Sequence, residues 1–256
     1  MTVNIHTVSH RPQLDDRPLA RRVGLVALAT DHTSEPDYHR MLAARGIGLY
    51  ANRIPYANPV TPETLRAMEP QLTEGAALIL PGESLDAVIY GCTAASVVIG
   101  DAAVVAAVQR AKPGVAVVTP TSAAVAGLRA LNAGRISVLT PYTARTSAAM
   151  AGYFEAAGFA IDRFTCLGLE DDREMARIAP DAILAAAAEA TDPGSDALFI
   201  SCTAVRAAGL IGRIEAATGV ASLSSNYAAA WNVLRICGDA GAACDGRLMG
   251  LPLGTP

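Results

Sequence analysis

The chain carries one unit twice: an apolar strand that ends in Cys-Thr and runs into an Ala-rich stretch. Val88-Ile89-Tyr90-Gly91-Cys92-Thr93-Ala94-Ala95 is the first copy, and Leu198-Phe199-Ile200-Ser201-Cys202-Thr203-Ala204-Val205 is the second. An earlier apolar strand precedes each copy, at 23–28 and 136–139. After each come a helix, a short strand and another helix, "AAVAGLRAL" from Ala123 and "AAAWNVLRI" from Ala228. A whole unit repeated in this way points to a duplication that produced two similar lobes.

Apolar β-branched runs alternate with helical segments throughout, the pattern of parallel strands covered by helices. The expected strands are 23–29, 48–54, 87–90, 115–118, 136–139, 160–164, 197–201 and 220–223. The expected helices are 36–45, 62–74, 102–111, 123–131, 144–157, 180–190, 204–217 and 228–236. Several start after Thr, Ser, Asp or Pro, and Gly46, Gly158 and Gly219 are candidate stops. The reading is an α/β protein of two pseudo-symmetric lobes, each a short, mostly parallel sheet flanked by helices, with the active site in the cleft between them. Residues 1–22 form an N-terminal extension, 23–120 with 225–256 form the lobe carrying Cys92, and 121–224 form the lobe carrying Cys202.

Hydrophobic residues make up 52% of the 256 and charged residues 17%, enough apolar surface for a sizeable core. Only 5% are aromatic, so Ala, Val, Leu and Ile must fill the interior. A net charge of -4 offers no basic surface for a nucleic-acid backbone. No run reaches the roughly 18 apolar residues of a membrane span, and residues 1–22 lack a secretory apolar core. A cytoplasmic setting is expected, in which the five cysteines stay as thiols. There is no Cys-x-x-Cys, and all four histidines lie in the first 39 residues, so no metal site is expected.

Ligands of parallel sheets bind at the carboxyl edge of the strands, where Cys92 and Cys202 both fall. A thiol at a helix N-terminus is favoured as thiolate, and nearby hydroxyl and backbone N–H groups can hold an anion. Two such thiols facing one bound carbon could move protons on opposite faces, racemising it without a cofactor. Thr93, Thr203 and the helix-end amides are the candidate donors for the charge that develops on a neighbouring carboxylate. Cys166 and Cys237 read as packing residues and Cys244 as part of the Gly-rich tail.

"YGCT" and "FISCT" in tandem halves resemble the aspartate/glutamate racemase superfamily, in its maleate isomerase and arylmalonate decarboxylase branch. Within that branch "RVGLVALATDHTSEPDY", "RIPYANPVTPE", "ISVLTPYT" and "TCLGLEDDREMARIAP" are similar to ectoine-utilisation members. The resemblance implies an active site between the lobes, no cofactor and a homo-oligomer. It also implies that Cys92 and Cys202 are the acid–base pair of a racemase, or that Cys92 is the nucleophile of a cis-trans isomerase. Decarboxylases keep only the second cysteine, so Cys92 argues against decarboxylation.

The same resemblance places Tyr142 on a substrate carboxylate and Ala94 where decarboxylases have a hydroxyl. It sets Asp31 and Asp172 where maleate isomerases carry Asn. Losing those N–H donors for carboxylates disfavours maleate and suits an ammonium- or amide-bearing substrate. Each Asp could instead cap a helix, and Ser225 and Asn226 could reach the cleft or cap theirs. Three functions follow as expectations. The first is a racemase/isomerase acting next to a carboxylate, on an amino-acid derivative of ectoine or diaminobutyrate breakdown. The second is a maleate-type cis-trans isomerase, and the third a non-catalytic small-molecule binder. The expected partner is a small carboxylate-bearing substrate, with no nucleic acid and no membrane.

Overall fold

The structure is a computed structural model and describes residues 3–254. Strands β1 (Arg21–Leu28), β2 (Ile47–Ile54), β3 (Ala87–Tyr90) and β4 (Ala116–Val118) form one sheet in the order β2-β1-β3-β4. Strands β5 (Arg135–Tyr142), β6 (Ala160–Leu169), β7 (Ala197–Ile200) and β8 (Ala221–Ser224) form a second in the order β6-β5-β7-β8. The second order repeats the first, and every pairing is parallel. The inner strands β1, β3, β5 and β7 are buried almost throughout, which is why they read as continuous apolar runs. Val23 lies opposite Ala87, and Ile136 opposite Ala197, so Cys92 and Cys202 leave equivalent strands at the same edge.

All eight expected strands form. β6 runs on to Leu169, past the expected 164, as a half-exposed edge strand whose pairing with β5 shifts register twice. Cys166 therefore lies in an edge strand and is only partly buried, whereas Cys237 is buried.

Helices α1 (Ser34–Leu42), α2 (Pro62–Arg66), α3 (Leu72–Ala77), α4 (Thr93–Ile99), α5 (Asp101–Ala111) and α6 (Pro120–Ala130) lead into the second sheet. Its own helices are α7 (Ala144–Ala156), α8 (Asp172–Met175), α9 (Pro180–Ala190), α10 (Ile211–Thr218) and α11 (Ser225–Ile236). The hydroxyls of Thr61, Thr119, Thr143 and Ser224 accept the first free N–H groups of α2, α6, α7 and α11. Gly46, Gly158 and Gly219 all have φ between 69° and 95°, the left-handed conformation that ends helices.

Two helix expectations fail. Residues 62–74 divide into α2, a 3₁₀ turn (Glu69–Gln71) and α3, because Pro70 has no N–H and crowds the preceding turn. Residues 204–217 are not one helix: turns and a 3₁₀ segment (Ala208–Leu210) precede α10, which starts only at Ile211.

α11 follows the last strand of the second sheet yet packs back on β3, β4 and α1 of the first half, and against α6. Its Ala228, Ala229, Ala230 and Trp231 are fully buried. Gly127 of α6 sits so close to its neighbours that a Cβ there would meet Leu248 at 2.9 Å and Leu223 at 3.1 Å. Gly127 thus lets α6 lie close to β8 and to the C-terminal 3₁₀ turn (Arg247–Gly250), while Tyr38, Tyr90, Tyr227 and Phe154 fill larger gaps. Each large apolar side chain buried in this way contributes about 1.5–3 kcal/mol.

Candidate active site

The carboxyl edges of β1, β2 and β3 face those of β5, β6 and β7 across a small cavity. Leu28 ends β1 and Asp31 follows it, Tyr56 and Val60 follow β2, and Cys92 and Ala94 follow β3. From the other sheet come Tyr142 at the end of β5, Asp172 after β6, and Cys202, Thr203 and Ala204 after β7. The space enclosed is about 20 Å³, room for one water molecule. A substrate of several heavy atoms therefore enters only when the walls part. Both cysteines are 5% exposed, and each thiolate charge would be felt by the other.

Cys92 caps α4 in extended backbone (φ -148°). The first N–H groups of that helix have no acceptor inside it, and the Ala95 amide is directed at the Cys92 sulfur. Cys202 stands differently: its φ is 89°, a strained value for a residue with a side chain, and a turn follows it rather than a helix. The Ala204 amide donates to its sulfur at 3.4 Å, and the Met175 sulfur lies 4.0 Å away. The Tyr142 hydroxyl and the Val205 amide also help to hold its charge.

The expectation that a helix end would lower both thiol pKa values is therefore corrected. Burial pushes the Cys92 thiol well above its ordinary range, with the neighbouring Cys202, Asp172 and Asp31 charges adding to it. Burial also pushes Cys202 up, but only to about 11, because Tyr142 and two amides oppose it. Cys202 is the easier of the two to ionise. Burial likewise raises Tyr142 far above its usual value, so its hydroxyl keeps its proton and remains a donor.

The turn bearing Cys202 hangs from the first half of the chain. The Thr203 hydroxyl donates to Gly91 O at 3.0 Å, the Thr33 hydroxyl to Ala204 O at 2.8 Å, and the Asn226 amide to Thr203 O at 2.9 Å. These bonds take carbonyls that a helix from residue 204 would need, which explains why none forms there. Gly91 itself lies tight against β1, where a Cβ would meet Val26 O at 3.2 Å.

Not every expected site residue reaches the cavity. The Thr93 hydroxyl points away and donates to Ser225 Oγ at 2.8 Å, so it is no substrate donor. Asn226 is buried against Asp37 and Thr203 and supports the cavity wall from behind. Ser224, not Ser225 or Asn226, caps α11. Thr203 lines the cavity with its hydroxyl already engaged.

The two aspartates divide between the roles left open for them. Asp31 Oδ1 accepts from the Thr33 and Ser34 amides at 2.7 and 2.9 Å, tying down the start of α1, while its Oδ2 has no partner. Burial raises the Asp31 carboxyl above its usual range against the Ser34 hydroxyl, these backbone bonds and the Arg53 charge. Asp172 accepts from Asn58 Nδ2 on one oxygen and from the Thr30 hydroxyl on the other. Asp171, its neighbour, is the residue that caps α8.

Tyr56 and Asn58 were not singled out from the sequence. Both follow β2, the strand beside β1, and that position at the ligand-binding edge was the available signal. Among the described residues, no group of three or more His, Cys, Asp or Glu side chains could hold a metal ion.

A family model for arylmalonate decarboxylase matches residues 60–249. A maleate isomerase of Nocardia farcinica is 29% identical over 226 residues, covering 84% of this chain and 89% of the relative. Among solved structures, a Nocardia farcinica maleate cis-trans isomerase variant, with a cysteine changed to serine and a covalently bound succinylcysteine intermediate, superposes with a TM-score of 0.82. It is 27% identical and covers 90% of this chain and 98% of its own. A maleate isomerase from Pseudomonas putida S16 with bound maleate has the same fold, with a TM-score of 0.82 at 21% identity over 90% of this chain and 97% of its own.

Proposed function

Since the chain belongs to the arylmalonate decarboxylase family, we propose that it is a cofactor-independent isomerase whose chemistry runs through Cys92 and Cys202. The single observation that carries this is the pair of buried sulfurs facing one small cavity from two opposed sheet edges. The reaction we assign first is cis-trans isomerisation of an alkene conjugated to a carboxylate. The succinylcysteine found in the Nocardia relative supports a covalent route.

In that route the Cys92 sulfur bonds to one alkene carbon while Cys202 protonates the other. The Cys92 thiol proton passes to the Cys202 sulfur, so a thiol has added across the double bond. Rotation about the resulting single bond, then loss of the same proton and sulfur, yields the trans product. No atom or electron is left over. Closure of the cavity keeps water from the carbanion-like transition state and strengthens the few donors that face it.

The test is to incubate the Cys202→Ser variant with maleate and related cis-enoates and to measure the intact mass. An adduct that maps to Cys92, together with cis-to-trans conversion by the native chain in proton NMR, is expected. Absence of both for every enoate tried overturns this route.

A second reading is racemisation next to a carboxylate, of an amino-acid derivative of ectoine or diaminobutyrate breakdown. Two carboxylates and no Lys, Arg or His line the cavity, which favours a substrate with a positive or N–H-bearing end. Cys202, the easier to ionise, would take the α-proton, and Cys92 would return one on the opposite face. Its similarity to ectoine-utilisation sequences supports the substrate class. In D2O a racemase washes deuterium into the α-position of recovered substrate, and retention of the α-hydrogen sinks this reading.

A further inference from the structure

Asp31 is 7% exposed and has one oxygen fully used by two backbone amides, while the other, Oδ2, is buried without a hydrogen-bond partner. A bare carboxylate oxygen in a nearly sealed cavity is costly unless something donates to it. No side chain of the cavity wall donates a hydrogen bond to it. Its other polar members are Tyr56, Tyr142, Thr203, Asp172 and the two thiols. Thr203 donates to Gly91 O, both Asp172 oxygens are engaged, and Tyr142 faces Cys202. The Tyr56 hydroxyl is also buried and unpartnered. The Ser34 hydroxyl lies beside the Asp31 carboxyl and helps to hold its charge, but makes no hydrogen bond of ordinary geometry to Oδ2. Behind Asp31, the Arg53 guanidinium donates to the carbonyls of Leu28 and Asp31 and pairs with Glu35, so it brings no free cation into the cavity.

Building on the isomerase reading, we infer that Asp31 Oδ2 is the receptor for an N–H group of the substrate, an ammonium or a primary amide, at the end opposite its carboxylate. The two aspartates are thus unequal. Asp172 is already satisfied by Asn58 and Thr30 and shapes the wall, while Asp31 alone offers an open acceptor. A dicarboxylate would set a second negative oxygen against Oδ2 with no counter-charge, and like-charge repulsion in a poorly solvated site weakens its binding. Tyr56, whose hydroxyl can donate or accept, completes this polar end.

Calorimetric binding of three saturated analogues reads this subsite without any turnover: 4-aminobutyrate, succinamate and succinate. The native chain is expected to bind the first two about 10- to 100-fold more tightly than succinate, the range set by one charge-assisted hydrogen bond. Asp31→Asn keeps an oxygen for the two backbone amides and places an NH2 where Oδ2 stood, so it should reverse the order in favour of succinate. Asp172→Asn should leave the order as it is. The inference is overturned if the native chain binds succinate as tightly as the other two, if it binds none of them, or if a folded Asp31→Asn keeps the native order. Since none of these analogues has a double bond, the expected order with no isomerisation of any enoate would refute the isomerase reading and leave the subsite standing.

Discussion

The two sheet edges that meet at the cavity have the same strand order, yet they present their cysteines in opposite ways. On the β3 side the chain enters a helix at once, and Cys92 sits in relaxed extended backbone at its cap. On the β7 side it is pulled into a turn by hydrogen bonds from Thr33 and Asn226, and Cys202 is left at φ 89°. The helix end, which theory makes the better thiolate site, holds the thiol that is harder to ionise. The comparison teaches that burial outweighs a short helix's partial charge, and that direct donors decide between the two sulfurs: Tyr142, Ala204 and Val205 for Cys202, against Ala95 for Cys92.

The sharpest way to break that asymmetry is to remove each sulfur in turn. Cys92→Ala and Cys202→Ala should each lower kcat by about 10²–10⁴-fold, and only the second should still accumulate a covalent adduct. The double variant should be little worse than the poorer single one, because both groups serve one reaction. Adduct on Cys202 in the Cys92→Ala variant would reverse the assigned roles.

A smaller effect tests the donors themselves. In the native chain Cys202 should be alkylated by iodoacetamide before Cys92 as pH rises towards about 11, since only the thiolate reacts. Tyr142→Phe removes a donor that favours the charged form. The rise should then move to higher pH by about one to two pH units, the equivalent of one hydrogen bond to a charged group. An unmoved profile would mean that Tyr142 does not hold the Cys202 charge.

Backbone strain gives a third handle. Glycine tolerates positive φ, so Cys202→Gly relieves strain where Cys92→Gly only adds chain entropy. Chemical denaturation should find Cys92→Gly the more destabilised of the two by about 1–2 kcal/mol. Equal losses would show that the Cys202 turn is unstrained.

The smallest expected change concerns Thr93. Its hydroxyl serves Ser225 across the join between the halves, so Thr93→Val should cost about 1 kcal/mol of stability in a thermal melt and leave kcat within about threefold. A fall in kcat as large as that of a cysteine variant would restore Thr93 to the substrate.

Much of the site was legible because strand ends are legible. Continuous apolar runs mark strands buried on both faces, and a parallel sheet places whatever follows them at one edge. Cys92 and Cys202 follow from that pattern, whereas Tyr142, Asp31 and Asp172 come only from the resemblance of the sequence to the family. The edge strand β6 extends past its legible end at 164 because a half-exposed strand with register shifts has no continuous apolar run. The helix expected over 204–217 failed for another reason. Its Ala-rich sequence favours helix, but Thr203 and Ala204 give their carbonyls to Asn226 and Thr33, partners far away in sequence.

The sequence by itself determined the duplicated parallel sheets, their equivalent cysteines and the apolar filling between them, because these follow from local periodicity and from a repeated unit. Only the tertiary structure decided which thiol is the easier to ionise, which threonine lines the cavity, and which aspartate has an oxygen to spare. Those properties depend on burial and on hydrogen bonds between residues distant in the chain, and no local pattern of side chains encodes such a partner.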